Sequence, residues 1–261
     1  MTRLIRVELL KIRTTRLSYG LLATGAGLTA LFSVLEASQP GTADVRPLNT
    51  VAGFSAMITG GVWTLLLATV LGVTVSSGEF RHATATLTYL AAPRRDRVLA
   101  AKAAAAALAG AVFGLVGYVI SVGVALSFVA AHGYQVPVGA ATLARYGAGY
   151  LVAAALLAAA GVALGSLIRS QLAGVIGVFV WAIVIESLVG ALFNPVQPYL
   201  PYTAATTLAG SQLGGAAFGP AHGAASTAVP LPFAAATALL AALAVVLSAV
   251  AARTTVARDV S

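Results

Sequence analysis

The sequence predicts an all-α membrane protein with six transmembrane helices, and three observations predict it. Of its 261 residues 59% are hydrophobic and 8% are charged, with a mean hydropathy of +0.95. Ordinary soluble domains carry roughly 25% charged residues, so most of this surface faces something other than water. Six apolar stretches, residues 17–35, 51–75, 104–130, 146–168, 172–193 and 231–252, contain no Lys or Arg. Each approaches or exceeds the roughly 20 residues that cross about 30 Å of hydrocarbon. Finally, the basic residues alternate between the connecting segments. With the N-terminus inside, 13 fall on the inner side and only Arg46 and Arg145 on the outer. That asymmetry places both termini in the cytoplasm by the positive-inside rule.

The stretches must be helical because backbone groups in lipid need internal hydrogen bonds, and their richness in Ala and Leu agrees. The net charge of +8 is absorbed by topology and by contact with anionic membrane lipid, which leaves no case for nucleic acid. Cysteine is absent, excluding disulfides, thiolate metal sites and a cysteine nucleophile. Arg outnumbers Lys 13 to 2, a bias of GC-rich bacterial coding, so the expected location is a bacterial plasma membrane.

Residues 1–16 precede the first span. Ile5, Leu9 and Ile12 share one helical face while Arg3, Arg6, Lys11 and Arg13 reach toward phosphates. An interfacial helix leading into the spans is expected. The first stretch is too long for the apolar core of a signal peptide. The six-span domain is taken as residues 17–252, followed by a cytoplasmic tail, 253–261. Gly110 and Gly114 in span 3, and Gly161 and Gly165 in span 4, have the four-residue spacing that lets helices approach closely.

Residues 78–97, GEFRHATATLTYLAAPRRDR, are too polar to span. Gly78 is expected to break the preceding helix, with Glu79 in the first turn of a new one, where a negative charge is favoured. Phe80, Ala83, Leu87, Leu90 and Ala91 then form an apolar stripe beside a polar face of Arg81, Thr84 and Thr88. Pro93 closes the element and Arg94, Arg95 and Arg97 follow. An amphipathic helix over 78–92 either lies on lipid or docks in a groove of a partner.

Residues 194–230 contain no Asp, Glu, Lys or Arg but carry Pro195, Pro198, Pro201 and Pro220 with Tyr199 and Tyr202. An uncharged, proline-broken outer segment reads as re-entrant, tolerated at depth where protein covers it. Glu186 is the only acid within the limits of a span. An intramembrane carboxylate faces an interior or a cavity; an outer gate, a cation path and a structural hydrogen-bonded carboxyl all remain open for it.

The string GEFRHATATLTYLAAPRRDRVLAAK, residues 78–102, resembles the coupling-helix region of ATP-binding-cassette type-2 exporter permeases, particularly small actinobacterial ones. Glu79, Arg81, Thr84, Pro93 and Lys102 carry it, and Ala83 departs from the glycine most often expected there. The likeness extends to a basic N-terminal helix, a Trp181–Glu186 pairing in span 5 and an outer element before span 6. It implies that residues 79–90 seat on a nucleotide-binding ATPase subunit. Glu79, Phe80, Arg81, Thr84, Leu87, Leu90, Pro93, Arg94 and Arg95 would form the contact. Two permease copies, identical or different, would complete an exporter.

The chain has no Gly-Lys dipeptide, so it lacks the phosphate loop G-x-x-x-x-G-K-[ST]. ATP and magnesium would be bound by the partner, with no cofactor, metal or catalytic residue here. The expected function is thus the permease subunit of an ATP-driven exporter of hydrophobic or amphipathic cargo. The alternatives are an ion- or proton-coupled carrier using Glu186, built as inverted repeats, and a non-transporting anchor or sensor for an ATPase. An intramembrane enzyme would need a base with a nucleophile, or metal ligands, converging in a cavity, and the spans supply one acid with no histidine or cysteine.

Overall fold

A computed structural model describes residues 1–38, 49–81, 95–211, 218 and 229–254, with the side chains of 79–81 and 95 outside the description. All regular structure among these residues is helical. In chain order the elements are α1 (Thr2–Thr14), α2 (Arg16–Ser38), α3 (Val51–Thr59), α4 (Val62–Arg81), α5 (Arg95–Ala131), α6 (Ala140–Ile168) and α7 (Gln171–Phe179). A π-helical turn (Val180–Ile185), α8 (Glu186–Leu192), a 3-10 segment (Asn194–Tyr199), α9 (Pro201–Leu208) and α10 (Phe233–Thr254) complete it. Six helical segments are long and apolar enough to cross a membrane: α2, α3 with α4, α5, α6, α7 through α8, and α10. The protein is a multi-pass, all-helical membrane protein.

The spans run longer than the apolar stretches, because a helix continues into the interface once its backbone bonds are established. Span 3 begins at Arg95 and so takes in Arg97 and Lys102. Span 4 begins at Ala140 and takes in Arg145, whose guanidinium lies 5.9 Å from the Phe233 ring of span 6, a cation–π contact between two span ends.

Span 2 is the axis. Its most apolar stretch is 94% buried, against 17% for spans 1 and 6, so the other helices wrap around it. It is not one continuous helix. At Gly60–Gly61 α3 ends and α4 begins. The Tyr150 hydroxyl of span 4 donates to the Ile58 carbonyl beside the break. A Cβ on Gly61 would fall inside the Tyr150 ring, so the break and the tyrosine occupy one space that a side chain would close.

Both glycine pairs sit where helices touch. A Cβ on Gly110 would be 2.5 Å from the Ala154 carbonyl oxygen, and one on Gly114 would strike the Tyr150 carbonyl, both in span 4. A Cβ on Gly161 would meet the Thr69 carbonyl, and one on Gly165 would be 2.5 Å from the Val73 carbonyl oxygen, both in span 2. Spans 3, 4 and 2 therefore pack backbone to backbone in series, as small residues at this spacing allow. Ser76 and Ser166 hydrogen-bond across the span 2–span 4 seam at 2.6 Å. On span 1, Gly25, Thr29 and Ser33 form the buried face.

The N-terminal segment is helical, as α1, ending at Thr15 with extended backbone. Its predicted stripe packs inward: Ile12 is buried, and Ile5 and Leu9 lie against the core, while Val7 and Leu10 are exposed. The same face buries Glu8, which accepts from Lys11 Nζ at 2.8 Å and from Lys102 Nζ at 3.1 Å. Lys102 is itself buried on span 3. An ion pair thus clamps α1 to the foot of span 3.

One boundary is corrected. Gly78 does not break the helix: α4 runs through it to Arg81, so Glu79 lies in the last turn of span 2 instead of the first turn of a new element. A glycine inside a helix costs only about 1 kcal/mol relative to Ala, and the apolar helix preceding it carries the backbone past that point.

Candidate functional site: a carboxylate that caps a neighbouring helix

Span 5 starts at Gln171, with the Ser170 hydroxyl accepting the Ala173 N–H at 3.4 Å. Its inward residues Gly174, Val178, Ala182 and Glu186 recur every four residues. On a 3.6-residue helix each such step overshoots by about 40°, or about 120° over three steps. The π turn at Val180–Ile185 absorbs that drift. Its wider coil bonds the Glu186 N–H back to the Trp181 carbonyl and brings Glu186 onto the buried face. Such turns recur at functional sites.

Glu186 is 1% exposed. Its Oε1 accepts the Thr203 N–H at 2.6 Å and the Thr203 hydroxyl at 3.0 Å, and its Oε2 accepts the Tyr202 N–H at 3.1 Å. These amides are the second and third of α9, whose cap residue Leu200 has no side chain able to accept them. Pro201 takes the first position, where its missing N–H is no loss. Glu186 is therefore an N-cap supplied by another helix. It sits at the positive end of the α9 dipole, and three donors, the two amides and the Thr203 hydroxyl, meet its oxygens.

The rest of α9 is tied to the bundle as firmly. Tyr202 donates its hydroxyl to Thr69 Oγ1 of span 2 at 3.0 Å. Burial pushes the Tyr202 phenol above its ordinary pKa, keeping it a donor. Phe218 stands edge-on to both Trp63 and Tyr202, 5.2 and 5.7 Å between ring centres, and its carbonyl accepts the Ser187 hydroxyl. The Leu208 carbonyl lies against Gly149 of span 4 where a Cβ would stand. After α9 the chain turns at Gly210, φ +101°, beside the Tyr146 ring. That is a left-handed position suited to glycine.

Glu186 and the segment between spans 5 and 6 are thus brought together in one network. Of that expected element, residues 194–230, the 3-10 segment and α9 are described, and the residues between 211 and 229 lie outside the described ones except Phe218. Of the set expected to meet an ATPase, the described members lie at the far end of α4 and the start of α5 rather than in this network. Glu79, Phe80 and Arg81 end span 2, Arg95 begins span 3, and Thr84, Leu87, Leu90, Pro93 and Arg94 lie outside the described residues. Thr69 joins these two regions, because an unbroken helix runs from it to Arg81, about 18 Å at 1.5 Å per residue. The tail beyond Thr254 also lies outside the described residues.

Sequence reasoning missed Glu8, Tyr150 and Thr69. Glu8 had one usable signal: it is the lone acid of a basic segment and sits on the Ile5–Ile12 face. Among the described residues no group of three or more His, Asp and Glu is placed to hold a metal ion. No protein-family model matches the chain, and no curated protein matches it in sequence.

Proposed function

We propose that the chain is the permease subunit of an ATP-driven exporter, working with a separate ATPase subunit and a second permease copy in a bacterial plasma membrane. The observation that carries the reading is the placement of span 2. It is the buried axis of the bundle, and α4 leads into residues 78–102, whose sequence resembles a coupling-helix region, and contains the first four of them. Along the same helix Thr69 holds Tyr202 of α9. A push on the basic end of span 2 would therefore reach the outer, re-entrant element through a rigid helix. ATP-driven closure of the partner would shift the inward/outward balance through that lever.

The clamp of Glu8 on Lys102 supports the same reading, since α1 and span 3 would move with the docking segment between spans 2 and 3. Glu186 serves here as a latch on α9. Three protein donors already engage both of its oxygens, which weighs against a cation path through it.

The test is co-purification. The tagged full chain, extracted in mild detergent from the membranes of its own cells, should bring down a subunit carrying a phosphate loop with ATPase activity. Leu87→Asp, which puts a charge into the apolar seat, should lose that subunit while the chain still inserts. A variant that retains the full ATPase complement contradicts the assignment.

A further inference from the structure

A cavity of about 330 Å³ lies among spans 4, 5 and 6, and its lining presents only apolar surface. Leu157, Leu164 and Ile168 form one wall, Gly174, Gly177 and Val178 a second, and Leu243 and Leu247 a third. Pro201 and Tyr202, the first turn of α9, close one end beside Thr69. The hydroxyls at that end are already engaged, Tyr202 donating to Thr69 and Thr69 to the Leu65 carbonyl. Nothing in the slot offers a hydrogen bond to a polar ligand, and nothing there would tolerate a charge.

Its shape is as informative as its lining. From Leu157 to Ile168 the slot follows span 4 for about 16 Å. The slot is therefore long rather than rounded, a shape that suits an extended hydrocarbon chain lying along the spans. The slot is also a seam. Span 6 packs against span 4 and α9, whereas span 5 packs against spans 2 and 4. Between them the glycines of span 5 contribute no side chains, and Ile168 and Trp181 at its rim are partly exposed. A chain already aligned with the spans can enter sideways.

We infer that this slot binds one acyl chain of a membrane phospholipid, inserted between spans 5 and 6 with its end against the Pro201–Tyr202 turn. The site lies in the half of the bundle that carries the termini, since span 4 ends and span 5 begins there. It does not depend on the exporter reading. It places a lipid against the turn that Glu186 caps, so the occupant braces α9 from one side while the carboxylate holds it from the other.

Gly177 provides the test, because a Cβ built on it meets nothing within 4 Å while the residue lines the slot. Gly177→Leu fills the slot without meeting the backbone of a neighbour. The full chain in mild detergent is incubated with dioleoyl phosphatidylglycerol, repurified and weighed intact by mass spectrometry. One phospholipid per chain is expected, reduced at least fivefold in Gly177→Leu at unchanged elution volume and melting temperature. If that variant melts early, Leu247→Phe narrows the slot from the opposite wall and should give the same loss.

A second readout uses the two tryptophans. In a Trp63→Phe background Trp181 is the only indole, and it lines the slot. Phosphatidylglycerol brominated at mid-chain should quench it at near-stoichiometric ratio, at least threefold less after Gly177→Leu. Equal retention and equal quenching in the two proteins, or detergent alone bound to the repurified wild type, overturns the inference.

Discussion

Glu186 and Glu8 are two buried acids with different work. Glu186 satisfies backbone amides that would otherwise be orphaned at the start of α9. Replacing it by Gln keeps one accepting oxygen and turns an NH2 toward a second donor. The expected cost is about 1–3 kcal/mol, the usual penalty for an unsatisfied buried group. Hydrogen exchange should show it as faster exchange at Tyr202 and Thr203, with the amides of span 4 unchanged; a uniform change across the bundle would contradict the capping role. Glu8 is held by Lys11 and Lys102, and the second contact is fully enclosed. Breaking a buried pair costs about 3–5 kcal/mol, whereas replacing both partners with apolar residues is often neutral. Lys102→Met alone should therefore release α1 to protease, and Glu8→Leu with Lys102→Met should restore resistance. Glu8 shows in sequence only as the lone acid on the apolar face of a basic segment, and the partner amides of Glu186 lie 16 and 17 residues further along the chain, beyond any local pattern.

At the level of elements, the spans were legible because hydrocarbon thickness sets a length that apolar runs display directly, and α1 was legible because Ile5, Leu9 and Ile12 repeat with the helix. The glycine spacings were legible as a possibility of close approach; the structure supplies the partners. The π turn was not legible, because it arises where an inward stripe spaced by four meets a helix of 3.6, and that stripe becomes visible only once burial is known. Gly60–Gly61 carries a turn-like signal, yet it lies inside an apolar run that reads as one span, and the tyrosine that shares its space is in another helix. The end of span 2 was misplaced for the opposite reason: Gly78 was given the weight of a helix terminator, where a lone glycine is tolerated. These packings make a graded prediction. Gly114→Leu and Gly161→Leu should each prevent the close approach of their helices and lower the melting temperature sharply in detergent. Gly20→Ala and Gly27→Ala, whose Cβ atoms meet nothing within 4 Å, should be neutral or raise stability by about 0.5–1 kcal/mol. Equal effects in the two groups would contradict the packing.

The whole molecule is a bundle around one buried helix, with a clamped amphipathic helix at one end and a carboxylate-latched helix let into its side. Its proposed orientation has a direct check, since the chain contains no cysteine. Val136→Cys, exposed between spans 3 and 4, should react with an impermeant maleimide added outside intact cells, and Arg3→Cys only after the membrane is opened. The reverse pattern would place the basic ends outside and remove the docking segment from any cytoplasmic partner. The measurement closest to the central claim is ATP hydrolysis by the assembled complex in vesicles. With the wild-type chain, turnover of the partner ATPase should rise well above that of the ATPase alone. Leu87→Asp should abolish that rise, while Glu186→Gln should leave the complex assembled and change only its response to cargo. An ATPase whose turnover is the same with the wild-type chain, with Leu87→Asp and with no chain at all would contradict the account.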